Sequence, residues 1–221
     1  MLRIPKSPNL TELAYQSVKQ YLFDGSATEG TKLTEEWLAT QLGISKSPVR
    51  EAFNRLESEG LVSIEARRGA YVRKFSLKEV SDLYDLREIL EVHAVGMVKI
   101  TPVLLHELAA SIAHTEQLLD ENNVLAHVEE DIRFHDLLAA ATENEELRRV
   151  IENINHKSLL CRSKSYHLSA STAPHSHGKI LKALEAGDRM LAQDAMREHI
   201  VFVRESLLHF LREKESGTVP E

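Results

Sequence analysis

ISKSPVREAFNRLESEG, from Ile44 to Gly60, decides how the rest of the chain is read. At helical period Val49, Ala52, Phe53 and Leu56, followed by Leu61, fall on one face, and Lys46, Ser47, Arg50 and Asn54 on another. Ser45 or Ser47 can cap the start. Pro48 is tolerated in the first turn, where N–H groups have no intrahelical partner, and Gly60 suits the stop. An ordinary amphipathic surface helix has the same pattern, so the flanks decide. A helix start that offers a cation, hydroxyls and a second cation one turn later also suits DNA. Its N–H groups can meet phosphate while Arg50 reaches a guanine edge.

The flank before it, TEEWLATQL from Thr34 to Leu42, reads as a second short helix. Thr34 is placed to cap it, Glu35 and Glu36 sit at the positive end of its dipole, and Gly43-Ile44 makes a tight turn. Helix, glycine-containing turn and cationic helix make a helix-turn-helix. After it come LVSIE, the turn ARRG and AYVRK: two short strands joined at Gly69, with Arg67 and Arg68 at the tip. That hairpin is a wing. A further helix, Leu10 to Asp24, precedes these elements, with Leu13, Val18, Tyr21 and Leu22 available for the core.

The chain has 221 residues, 43% hydrophobic and 28% charged, the composition of a globular protein with room for two modest domains. Its net charge of −7 is unevenly spread. Residues 1–77 carry 11 Lys and Arg against 9 Asp and Glu, whereas residues 78–221 carry 16 against 25. All 11 histidines lie beyond residue 92. Two domains of different chemistry are expected, 1–74 and 77–213, with 214–221 a disordered tail. The single cysteine, Cys161, fits a reducing cytoplasm and reads as a core residue. No long apolar run or signal-like start is present, so a cytoplasmic protein, neither exported nor membrane-spanning, is expected.

Beyond the linker Lys74-Phe75-Ser76 the pattern is helical. Breaks at Thr101-Pro102, Asn122-Asn123, 142–144, 169–174 and Gly187-Asp188 give six helices, near 77–100, 102–121, 124–141, 144–167, 174–186 and 188–213. Joined by short loops, they predict an antiparallel six-helix bundle, and the fold class is mainly α: a winged helix-turn-helix plus that bundle.

Asp131 and His135 stand four apart on the third bundle helix, their Cβ atoms roughly 5–6 Å apart, inside an apolar stripe. His177 lines up with Ile180, Leu181 and Leu184, and His199 lies among Ala195, Met196, Phe202 and Val203. Polar side chains in core stripes need partners. A divalent metal in the bundle centre would satisfy all four, although core histidines bonded to carbonyls are commoner and His93, His114, His156 and His175 remain rival ligands. Arg87 faces inward too. It can form a salt bridge with Glu91 at i+4, or anchor a ligand carboxylate.

SKSPVREAF, RLESEGLV and RRGAYV resemble the N-terminal domain of the GntR superfamily of bacterial transcription factors. LYDLREILE, DIRFH, HGKILKAL and AMREHI resemble its FadR-type (FCD) ligand-binding domain, and six helices rather than seven resemble the VanR-like branch. The resemblance spans about residues 10–213. It implies a homodimer that binds a double-stranded operator with an inverted repeat and responds to a small carboxylate effector. It implies a divalent metal, zinc or nickel, on Asp131, His135, His177 and His199, with Arg87 beside the effector. DNA contacts fall on Lys46, Ser47 and Arg50, and on Arg68 and Gly69 of the wing. Two positions depart from the pattern. Lys46 stands where arginine is usual, which weakens bidentate base reading, and Glu36 stands where the family often has a basic residue. Two other functions use the same residues: a metal-dependent hydrolase, and a DNA-binding protein with a purely structural metal. A hydrolase has no use for a basic wing, and no additional general base lies in a matching stripe.

Overall fold

The structure is a computed structural model that describes residues 9–23, 26–66, 68–121, 123–162 and 170–216. The chain divides into two compact units, Met1–Lys74 and Phe75–Glu221.

In the first unit α1 spans Leu10–Phe23, α2 Glu35–Leu42 and α3 Lys46–Ser58. Thr34 caps α2, its Oγ1 accepting from the Trp37 N–H at 3.2 Å. Gly43 ends it at φ 64°, a left-handed turn that glycine adopts without Cβ strain. Helix α3 starts after Ser45, whose side chain makes no capping bond. It buries Val49, Ala52, Phe53 and Leu56. At its end Gly60 takes φ 73°, and the Leu61 N–H bonds back to the Leu56 carbonyl while both side chains are fully buried. The chain is thereby turned into the sheet.

That sheet has three strands in the order β1-β3-β2: β1 Lys32–Leu33, β2 Val62–Glu65 and β3 Gly69–Val72. All pairs are antiparallel, with Leu33 opposite Ala70 and Val62 opposite Val72. The hairpin is shorter at both ends than expected, and β1 was not anticipated, because two residues carry no alternation to detect. The core face of α1 also differs. It buries Ala14, Tyr15, Val18 and Leu22, while Leu13 is 47% exposed and Tyr21 lies against Trp37 with ring centroids 5.2 Å apart. The docking of α1 on α3 selects this face: the Tyr15 hydroxyl donates to the Glu59 carboxylate at 2.8 Å, and the Arg55 guanidinium covers the Tyr15 ring at 3.6 Å.

The second unit holds six helices among the described residues: α4 Leu77–Met97, α5 Pro102–Asp120, α6 Val124–Ala140, α7 Glu145–Arg162, α8 Ala173–Glu185 and α9 Arg189–Glu215. Ser76 and Glu79 form a reciprocal capping box at the start of α4. Thr101, Asn123 and Asp188 cap α5, α6 and α9. At the other end of α4, Arg189 donates to the Gly96 and Val98 carbonyls at 2.8 and 3.0 Å. Helix α4 packs along α9 and against α7, α8 packs on α9 and α5, and α6 fills between α5 and α7. Their apolar stripes form one core around Tyr84, Leu108, Phe134, Leu138, Ile180, Met196 and Ile200.

Two boundaries need correction. Helix α4 stops at Met97, three residues before the expected end. The expected disordered tail begins too early, since α9 runs on to Glu215; Arg212 and Lys214 in its last turn suit the negative end of its dipole. Residues 217–221, and the end of the fourth expected bundle helix beyond Arg162, lie outside the described residues. No helix among the described residues is long and apolar enough to cross a membrane.

Candidate DNA-reading face and candidate metal centre

Helix α3 turns its apolar stripe inward, so Lys46, Ser47 and Arg50 of the opposite face are exposed. Each cation is met by an acidic side chain from the first turn of α2. Arg50 donates from Nε and Nη2 to the two Glu35 oxygens at 2.8 and 2.7 Å, and Lys46 Nζ lies 3.5 Å from Glu36. The guanidinium bonds hold the Glu35 carboxyl below its usual range, and the same bonds raise the Arg50 guanidinium. This pairing is a feature the sequence reading missed, because the partners are 15 residues apart on opposite sides of a turn. In the wing Arg68 is exposed with its guanidinium 3.3 Å from Glu65, and Gly69 opens β3 at φ 110°. Arg67 lies outside the described residues.

In the bundle, Asp131 and His135 come from α6, His177 from α8 and His199 from α9. Their ligand-type atoms all lie within 4.8 Å of one another, and all four residues are buried. No other such group of metal-ligating residues occurs among the described residues. The rivals His93, His114 and His175 are exposed, and His156 is half-buried. His177 is held in orientation by Phe134, stacked on it with centroids 3.8 Å apart and planes 3° from parallel. The His177 and His199 rings lie 4.8 Å apart, and His177 Nε2 is 3.8 Å from the Asp131 carboxylate. Neither ring nitrogen of the fully buried His199 has a hydrogen-bond partner among the described residues. Burial, then the proximity of His177, His135 and Arg87, pushes this imidazole well below its ordinary range, so it is neutral at pH 7 with a lone pair to give.

His135 is held from both sides. Its Nδ1 bonds to Glu91, and its Nε2 lies 3.1 Å from Nη2 of Arg87. Arg87 also donates from Nε to Glu91 at 2.5 Å and from Nη1 to Ser158 at 3.3 Å, and Ser158 donates to Tyr84 at 2.6 Å. Burial alone would raise the Glu91 carboxyl, but Arg87 and His135 together pull it down to about 2. Both partners of this ion pair are at most 3% exposed. The salt bridge offered for Arg87 by the i+4 spacing is therefore present, and the contact of Glu91 with His135 is new.

Three imidazoles and one carboxylate, buried together with an unpartnered histidine among them, are the donor set of a borderline divalent ion such as zinc or nickel. The arrangement also supplies what such a site needs behind its ligands: a carboxylate on the far nitrogen of His135. Arg87, Asp131, His135, Asn155 and Ser158 line an inner cavity of about 10 Å³, room for about one water. Ile132 and Asn155 also line a second, larger cavity of about 260 Å³ between α6 and α7, where Arg133, Arg148 and His156 stand.

The model of the bacterial regulatory proteins of the gntR family matches residues 10–72, and that of the FCD domain matches residues 82–202. YdhC of Bacillus subtilis, an uncharacterized HTH-type transcriptional regulator, is 28% identical over 90% of this chain and 91% of its own length. RspR of Escherichia coli K12, an HTH-type transcriptional repressor, is 26% identical over 95% of this chain and 93% of its own. Among solved structures, E. coli McbR/YncC has a TM-score of 0.82, covering 93% of this chain and 100% of that one, at 22% identity, a likeness of fold.

Proposed function

Because the chain belongs to the gntR family of bacterial regulatory proteins and carries an FCD domain, we propose that it is a homodimeric repressor whose operator affinity is set by a small carboxylate bound beside a divalent metal in the bundle. It is a DNA-binding transcriptional regulator, not an enzyme. The repressor reading follows RspR, and the homodimer follows from economy of recognition: one helix reads too few base pairs to select a site, and a two-fold protein matches an inverted repeat.

The observation that carries the effector reading is the convergence of four buried donors with a guanidinium at their edge. Asp131, His135, His177 and His199 would hold the ion. When bound, it supplies a positive charge that favours a carboxylate in a water-poor cavity. Arg87 lines the inner cavity, and each of its Nη groups keeps one N–H beyond its contact with Ser158 or His135 to meet that carboxylate; the cavity between α6 and α7 offers the approach, with Ile132 and Asn155 at the threshold. Arg87 lies on α4, which begins directly after the linker, so a ligand that shifts α4 has a covalent route to the DNA-binding unit. A tenfold change in operator affinity requires about 1.4 kcal/mol of such coupling.

The test is metal analysis of the purified protein with operator titration across a panel of small carboxylates. Arg87→Lys keeps the charge beside Glu91 but removes the fork. It is expected to hold metal, bind operator and lose the response, and a wild-type response would remove Arg87 from the mechanism. A second reading, a purely structural metal, draws on the Arg87–Glu91 pair and the small inner cavity. Operator affinity unchanged across the whole panel, with metal bound, would favour it.

A further inference from the structure

A guanidinium has two edges that can each form a pair of parallel hydrogen bonds: a side edge of Nε–H and one Nη–H, and an end edge of the two Nη groups. In Arg50 the side edge is taken, with Nε on Glu35 Oε1 at 2.8 Å and Nη2 on Glu35 Oε2 at 2.7 Å. Nη1 and the second Nη2 hydrogen make no hydrogen bond among the described residues, and the Arg50 side chain is 64% exposed. A flexible arginine that reads DNA must give up its rotamer freedom on binding, which weakens the contact. One whose side edge is already clamped has given up much of that freedom beforehand. Its end edge has the geometry that matches O6 and N7 of guanine.

We propose that Glu35 is a positioning residue for base recognition: by clamping the side edge of Arg50 it presents the end edge to a guanine in the major groove. The inference rests on the assignment of base reading to Arg50. The clamp serves specificity in a second way. A carboxylate at the DNA face repels phosphate, so the Glu35–Arg50 unit gains little from non-specific backbone contact and is rewarded only where a guanine completes it. Glu36 beside Lys46 differs in kind. An ammonium has no planar fork to orient, the pair is longer at 3.5 Å, and the Glu36 side chain is 80% exposed. Glu36 therefore lowers affinity for all DNA without choosing a base.

The two acidic residues give opposite signatures in one experiment. An operator is selected from random duplexes with the wild-type protein. Binding to it and to a scrambled duplex is then measured for wild type, Arg50→Ala, Glu35→Gln and Glu36→Gln. Glu35→Gln is expected to lower the operator-to-scrambled affinity ratio by at least about fivefold, the low end of what one bidentate base contact discriminates. Its affinity for scrambled DNA should hold or rise, and the lost preference should fall at the base pair where Arg50→Ala relaxes it. Glu36→Gln is expected to strengthen binding to both duplexes and leave the ratio in place. A Glu35→Gln ratio equal to wild type overturns the inference, whether both affinities fall through loss of fold or both rise through loss of charge. An equal ratio change in Glu36→Gln overturns it too, by making the effect one of charge alone. If Arg50→Ala leaves every base preference intact, the base-reading assignment itself fails.

Discussion

Arg50 and Arg87 are each gripped by a carboxylate, and burial makes the two pairs different objects. The Arg50–Glu35 pair is largely exposed, so water screens it and it adds little to folding. Arg50→Ala should therefore leave stability nearly unchanged while costing about 1–3 kcal/mol on the operator and relaxing base preference. Filter or fluorescence titrations on operator and scrambled duplexes check this, and equal losses on both would contradict it. The Arg87–Glu91 pair is sealed from water. Arg87→Ala would leave a buried carboxylate with a histidine as its remaining partner, at an expected cost of about 3–5 kcal/mol in urea unfolding. For that reason Arg87→Lys is the cleaner functional probe. The spacing of Arg87 and Glu91 was legible in the sequence; that the same carboxylate also holds His135, 44 residues away, was not.

At the scale of elements, the helices of the first unit were legible because capping and turn residues act locally. Thr34, Gly43 and Gly60 mark ends in sequence and in space alike. Gly43 has φ 64° and nothing within 4 Å of a built Cβ, so Gly43→Ala meets conformational cost alone, about 1 kcal/mol, and Gly43→Asn should cost less. Thermal unfolding of the full chain separates these two variants; equal stability of all three would refute the left-handed turn. On α1 Val18 and Leu22 are buried as expected, but Leu13 was expected in place of Tyr15, because both are apolar enough for a core. The docking of α1 on α3 selects Tyr15 through Glu59 and Arg55, residues more than 35 positions away. Tyr15→Phe is expected to lose about 1–2 kcal/mol by leaving part of that carboxylate unpaired, read as a lower urea midpoint at unchanged slope.

For the whole molecule, acid and metal act on the same cluster. His199 is depressed in the fold and takes its proton near pH 6.5 when unfolded, so the unfolded state binds more protons as pH falls through that value. Glu91 is depressed as well, and its contribution is present above the unfolded value of 4.5 and lost as pH falls towards about 2. Stability of metal-stripped protein should thus decline by up to about 1.4 kcal/mol per pH unit below 6.5, with a second loss below 4.5. Urea unfolding from pH 8 down to about 2.5 checks the sign of both losses. Adding zinc or nickel to stripped protein should raise Tm, since a ligand bound by the fold alone adds about 1.4 kcal/mol per tenfold excess over Kd. The double variant His177→Ala, His199→Ala should lose that rise and its metal, and full occupancy in it would sink the ligand assignment.

The sequence by itself determined what depends on neighbours along the chain: helix ends, the turn before the recognition helix, the hairpin, the Asp-x3-His spacing and the division at the linker. The tertiary structure decided which distant groups share a site. Helical period puts a histidine on an inward stripe but does not say which stripes face one another, or at what height. Packing of α6, α8 and α9 around Phe134 and Met196 brings the four donors together and leaves His93, His114 and His175 in water. The same reason hid Glu91 behind His135, Glu35 against Arg50, and the two residues of β1. Each depends on a contact across the fold, and such contacts leave no period in the chain.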